Sequence, residues 1–244
     1  MNTRKPSVLF DLGGTLVDLK GIVASMARQL ESIRLRGPVP LALDWALGTA
    51  KLLPAAQGRK FRPEREIAAD VLCALLEKRG RSDPKGESVR LVQEAWNGFV
   101  EICAFHADAS VDWLHSLRSK VAGLGVVTDG DTEAVAAVLH HLGLSDAFDS
   151  VTVSEAVGAY KPDPRIYRAA LKSLRANPAA TVFVSDSALD LQGAAGLGMG
   201  AAWIRRGLFP ELADAPPRTI VLSSLQDVDT IVRRFSRTAR FVSR

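Results

Sequence analysis

The 244-residue chain is 47% hydrophobic and 24% charged, which excludes a disordered protein and supplies core for one large α/β domain or a core with an insertion. No apolar run approaches membrane-spanning length and the start, MNTRKPSVLF, carries no apolar signal region, so a cytoplasmic protein with no membrane contact is expected. The net charge of +4 resides in residues 218–244, where six arginines face two aspartates; a basic tail of this kind is usually solvated, so a nucleic-acid partner is not expected.

In chain order, Ser7 to Phe10 is a brief apolar run with β-branched and aromatic members, and it predicts a buried strand ending at Asp11. Gly13 and Gly14 let the backbone turn and approach a ligand, with amide N–H groups open to an anion. Asp18 predicts a helix N-cap. Four helical runs follow. The first carries Ile22, Val23, Met26, Leu30 and Ile33 on one face and ends at Gly37, Pro38 and Pro40. Leu41 to Leu53 is the second, stopped by Pro54, and Gln57 to Arg62 reads as a polar loop. Pro63 opens the third, with Ile67, Val71, Leu72, Leu75 and Leu76 as its stripe, broken by Gly80 to Gly86. The fourth, with Val89, Val92, Trp96, Val100 and Cys103, runs to about Phe105. Cys73 and Cys103 lie far apart and are expected as buried free thiols.

Beyond Ala109 strands and helices alternate. Strands are predicted over 121–128, 151–154, 181–185, 201–204 and 220–222, with helices over 111–119, 132–142, 165–174, 189–197 and 228–235. Short connections between them imply a mostly parallel, doubly wound α/β sheet covered on both faces, with residues 18–105 inserted as an all-helical unit.

Chemistry-bearing residues collect at the predicted strand ends, where open α/β sheets bind ligands. Asp11 leaves the first strand; Thr128, Asp129 and Gly130 leave the second; Ser185, Asp186 and Ser187 leave the strand at 181–185, with Asp190 one helical turn on. Tyr160-Lys161-Pro162-Asp163-Pro164 is a proline-stiffened loop presenting one lysine. A carboxylate nucleophile, a hydroxyl, a lysine and oxygen ligands for a hard cation together suit phosphoryl transfer through an aspartyl phosphate. Gly196, Gly198 and Gly200 follow a helix and precede a strand, the reverse of a dinucleotide fingerprint.

DLGGT at 11–15, VVTDG at 126–130, YKPDP at 160–164 and VSDSALD at 184–190 resemble, in order, the four motifs of the haloacid dehalogenase superfamily of hydrolases. The resemblance implies a Rossmann-like core (1–17 and 106–244) and a helical cap (18–105). It also implies roles: Asp11 as nucleophile, Thr128 on a phosphoryl oxygen, and Lys161 neutralising both. Asp186 would bind Mg²⁺ with Asp11 and the Gly13 carbonyl, while Asp190 would orient Lys161 or the metal's waters. Gly14, Thr128, Asp129 and Lys161 are the implied substrate-binding set.

In phosphatases of this family the position of Gly13 is usually a second aspartate, which protonates the leaving oxygen. Glycine cannot do so, a loss of about 10²–10⁴-fold for poor leaving groups. The expected function is a Mg²⁺-dependent phosphohydrolase acting on a small phosphate ester. Two alternatives stand beside it: a 2-haloacid dehalogenase, whose halide needs no proton and whose segment corresponding to 182–206 is similar, and a weak or inactive binding protein. Asp18 is a lesser candidate for surrogate acid, and Arg34, Arg36, Arg59, Lys60, Arg62 and Arg65 are cations that an anionic substrate could meet.

Overall fold

The computed structural model describes residues 5–206 and 213–238. Arg240 and Arg244 of the basic tail lie outside the described residues. Six parallel strands form one sheet: β1 (Ser7–Phe10), β2 (Gly123–Thr128), β3 (Ser150–Val153), β4 (Thr181–Ser185), β5 (Gly200–Ile204) and β6 (Ile220–Leu222). Their spatial order is β3-β2-β1-β4-β5-β6. The chain order reverses on either side of β1, and a crevice opens at the carboxyl ends of β1, β2 and β4. Phe10 pairs in register with Val126 and Val184, so Asp11 leaves the sheet level with the ends of its neighbours; the Asp11 N–H donates to Val184 O at 2.9 Å.

Alternation along β1 divides the core between two faces. Val8 and Phe10 pack on one side with Val126, Val184 and the helices α5 (Val111–Lys120), α6 (Thr132–His141) and α10 (Val228–Thr238). Leu9 packs on the other with Val127, Phe183 and residues of α8 (Pro164–Ser173) and α9 (Ala188–Ala195). A four-residue helix, α7 (Ser154–Val157), follows β3.

Between β1 and β2 the chain leaves the sheet for a helical insertion of α1 (Lys20–Ser32), α2 (Pro38–Leu52), α3 (Glu64–Glu77) and α4 (Pro84–Ile102). The chain leaves and returns side by side: Asp18 N–H donates to Ala104 O and His106 N–H to Leu16 O. Three details differ from the sequence reading. Pro38 does not end a helix but opens α2 at its first turn, where no N–H is needed. Gly86 lies inside α4, its N–H accepted by the Asp83 carboxylate that caps the helix. The buried stripe of α4 is Leu91, Val92, Ala95 and Phe99, while Val89 is exposed. Cys103 is buried and Cys73 only half-buried. Among the described residues no helix is long and apolar enough to cross a membrane.

Candidate active site

At the sheet's carboxyl edge, Asp11 is buried and both its oxygens are held. Lys161 Nζ donates to Asp11 Oδ1 at 2.5 Å, and Thr15 Oγ1 lies 3.0 Å from Asp11 Oδ2. The same ammonium donates to Asp190 Oδ2 at 2.6 Å, so Lys161 joins two carboxylates that come from different strand ends. Burial alone would depress Lys161, but the Asp11 and Asp190 carboxylates hold its pKa well above the ordinary lysine value. Burial pushes Asp11 up, and Lys161 opposes it. Asp190 is fixed in turn by Ser185 Oγ at 3.3 Å.

Asp186 sits beside this pair. Its N–H donates to Thr15 Oγ1 at 2.9 Å and its Oδ1 lies 3.2 Å from the same hydroxyl, so Asp11 and Asp186 share Thr15. Gly14 makes room for it. A Cβ at Gly14 would lie 2.5 Å from Asp186 Oδ2, and φ at Gly14 is +83°. Burial, reinforced by the Asp11 charge, raises Asp186 to about 8. Two carboxylates converging on one hydroxyl, with the Gly13 main chain lining the same cavity, are a donor set that fits a hard divalent cation. No cluster of three or more Asp, Glu, His or Cys suited to a metal occurs among the described residues, so a cation here would rely on main-chain and solvent oxygens for its remaining ligands.

Two expected substrate contacts take other roles. The Gly14 N–H, expected to face an anion, is bonded to Val17 O at 2.8 Å, so this glycine serves to admit Asp186. Asp129 accepts the Lys161 backbone N–H at 3.0 Å and thus fixes the lysine loop; burial raises its carboxyl to about 7. Thr128 lines the cavity with its hydroxyl turned to the Asp129 carbonyl at 3.0 Å. Asp18 does not line the cavity; its Oδ1 accepts the N–H of Lys20 at the start of α1. None of the six predicted cations of the insertion lines it either: Arg62 pairs with Glu66 and Asp70, and Arg65 with Asp131 and Glu155.

Above these groups lies a cavity of about 320 Å³ whose far wall comes from the insertion: Leu19, Ile22, Met26, Leu53, Trp96 and Phe99 among others. Insertion and core are clasped next to the lysine loop. Gln57 exchanges two hydrogen bonds with the Tyr160 backbone, Tyr160 Oη donates to Arg62 O, and Phe61 stacks on the Tyr160 ring at 5.0 Å. A second clasp joins Asp131 to the N-terminus of α3, whose Glu64 and Arg65 N–H groups donate to its two oxygens at 2.9 and 3.0 Å. Sequence reasoning passed over Glu64, the one charged side chain that the insertion contributes to the cavity lining. A signal was there, since a glutamate opening a helix behind a proline is placed at a rigid point of the chain.

Comparison with known proteins agrees with this architecture. A family model of haloacid dehalogenase-like hydrolases matches residues 6–198. The (S)-2-haloacid dehalogenase of Pseudomonas sp. (strain YL) is 35% identical over 107 residues, 43% of this chain and 46% of that one, so the match spans about half of the relative. The glyceraldehyde 3-phosphate phosphatase of Pyrococcus furiosus is 34% identical over 206 residues, covering 84% of this chain and 82% of the relative. Among solved structures, the L-2-haloacid dehalogenase of Xanthobacter autotrophicus with chloropropionic acid covalently bound superposes with a TM-score of 0.75 at 19% identity, over 94% of this chain and 98% of that one; at that identity the likeness is one of fold.

Proposed function

Because the chain belongs to the haloacid dehalogenase-like hydrolases, we propose that it is a Mg²⁺-dependent phosphohydrolase of a small phosphate ester with an apolar leaving group, working through a phosphoryl group carried on Asp11. The observation that carries this reading is the seat of Asp186, admitted over Gly14 to share the Thr15 hydroxyl with Asp11. Among the described residues, six acidic side chains and one cation, Lys161, line the cavity, and that lysine is already engaged by Asp11 and Asp190. An anionic substrate meets a repulsive field there unless a cation offsets it.

Asp11, Asp186 and the Gly13 carbonyl would hold Mg²⁺, which when bound supplies the positive charge that the carboxylates and the phosphoryl oxygens require. Lys161 and Thr15 fix the Asp11 carboxylate so that it meets phosphorus without reorganising. The Thr128 hydroxyl turns from the Asp129 carbonyl to a phosphoryl oxygen. Asp190 keeps Lys161 charged and aimed as the Asp11 carboxylate is consumed. The apolar wall receives the organic part of the ester and excludes water from it.

A second reading, dehalogenation of a 2-haloacid by the same Asp11, is favoured by Gly13, by the apolar wall and by the resemblance to the Pseudomonas enzyme. One experiment separates them: phosphate release from a panel of esters and halide release from 2-haloacids, each with Mg²⁺ and with EDTA. Mg²⁺-dependent phosphate release is the expected result. Halide release that survives EDTA overturns it in favour of dehalogenation, and inertness toward both classes overturns both.

A further inference from the structure

A hydrolase that expels an alkoxide needs a proton donor, and Gly13 supplies none. Glu64 is the acidic side chain that the insertion presents to the cavity, which Asp11, Thr128 and Lys161 also line. Its carboxyl lies over the turn after β2, where Glu64 Oε2 would be 3.7 Å from a Cβ placed on Gly130. Its main chain is fixed to the core, because Asp131 accepts the N–H groups of both Glu64 and Arg65. Arg65 then braces the clasp by pairing with Asp131 at 3.2 Å and with Glu155 at 2.7 Å. The Glu64 carboxyl, half-buried at the cavity, makes no hydrogen bond or ion pair to another described residue and so is free to meet a substrate.

We propose that Glu64 is a catalytic residue, the proton donor to the leaving oxygen, supplied by the insertion in place of the side chain missing at Gly13. The proposal rests on the phosphohydrolase reading. In the first step the Glu64 carboxyl proton passes to the bridging oxygen as the bond from that oxygen to phosphorus breaks and the bond from Asp11 to phosphorus forms. The alcohol leaves and Glu64 remains as carboxylate. In the second step water attacks phosphorus, its proton passes to Glu64, and the bond from Asp11 to phosphorus breaks to give inorganic phosphate. Atoms and charge balance with no further reactant. Burial, with the Asp131 and Asp129 charges, raises Glu64 to about 8, which keeps it protonated at neutral pH as a donor must be.

Full-length wild type and Glu64→Gln are compared with Mg²⁺ under single-turnover conditions, enzyme in excess, on an n-alkyl phosphate and on nitrophenyl phosphate, whose leaving group needs no proton. Glu64→Gln is expected to slow alkyl-ester cleavage by about 10²–10⁴-fold, the usual contribution of a general acid. It should leave nitrophenolate release close to wild type and substrate affinity little changed. Glu64→Asp, which keeps the acid on a shorter arm, should show a smaller loss with the same selectivity and provides the measurement if the glutamine variant does not fold. Equal losses on both esters, a loss in affinity alone, or unaltered alkyl-ester cleavage each overturn the role of Glu64 and leave the phosphohydrolase reading standing. A wild type that cleaves neither ester overturns both.

Discussion

The floor of the cavity, at the ends of β1, β2 and β4, gathers Asp11, Asp186, Asp190 and Lys161 through contacts of 2.5–3.2 Å, two of them to Thr15. The roof, given by α1 to α4 and the turns between them, is apolar apart from Thr49 and Glu64. Each floor group is held by another floor group, so its position follows from the sheet and hardly from the ligand. Roof groups are held by packing within the insertion and meet the floor through the clasps at Tyr160 and Asp131. On the proposed reading, bond making belongs to the floor and selection of the organic group to the roof, with Glu64 the roof group assigned to the chemistry.

Loss of Asp11 strikes the floor hardest. Asp11→Asn should lower phosphate release by about 10⁴-fold or more, as loss of a covalent nucleophile does, while roof-dependent binding of the ester persists; turnover assays and ligand-induced shifts in melting temperature check both. Native turnover in a folded Asp11→Asn variant would remove the floor from the chemistry. Lys161→Met strikes the same floor through stability. It leaves Asp11 and Asp190 buried without their shared cation, and breaking a buried pair from one side costs about 3–5 kcal/mol, to be read in denaturant unfolding. A cost near zero would mean that the two carboxylates find another partner or protonate freely.

Mg²⁺ should act on the floor alone. At a hundredfold excess over its dissociation constant it stabilises the folded chain by about 2.7 kcal/mol, and Asp186→Ser should abolish the resulting rise in melting temperature. A rise that survives the substitution would place the cation elsewhere. The roof is probed by Ala46→Leu, which adds bulk to the part of the cavity wall that the insertion supplies. KM for the preferred ester should rise by about 10-fold or more, in the range that one misplaced methylene can impose, with the single-turnover rate at saturation little altered. A fall in that rate instead would show that the roof governs the bond-making step as well.

The two regions were also unequally legible in the sequence. Floor residues stand in short runs at strand ends, and a strand end is announced locally by an apolar run that stops at Asp11, Thr128 or Ser185. Order along the chain then gave their convergence, since a parallel sheet brings its carboxyl ends to one edge. Roof residues carry no such mark. Ile22, Met26, Trp96 and Phe99 recur with the helical period that a bundle core also has, so lining a cavity and filling a core look alike. Glu64 gains its meaning from Asp131, 67 positions away, and nothing near residue 64 announces that contact. For Gly14 the local sequence suggests an open amide, whereas the approach of Asp186, again a distant residue, gives it its use.

The smallest expected effect, and the one that best tests the exchange between floor and roof, comes from returning a carboxyl to the floor by Gly13→Asp. The backbone at Gly13 is not among the positive-φ glycines, which are instead Gly14 and others, so a side chain there needs no left-handed conformation. A new Cβ would lie 3.2 Å from Leu19 Cδ2, the free end of a leucine that lines the cavity and can give by a few tenths of an ångström. The substitution is therefore tolerable, and its consequence depends on what Glu64 already supplies. With Glu64 in place the alkyl-ester rate should rise less than about tenfold, because a second donor adds little to a step that already has one. In the Glu64→Gln background the same substitution should restore a larger part of the lost rate, and nitrophenyl phosphate should respond in neither background. An equal gain in both backgrounds would mean that Glu64 does not donate the proton, and the native donor would then have to be sought outside both floor and roof.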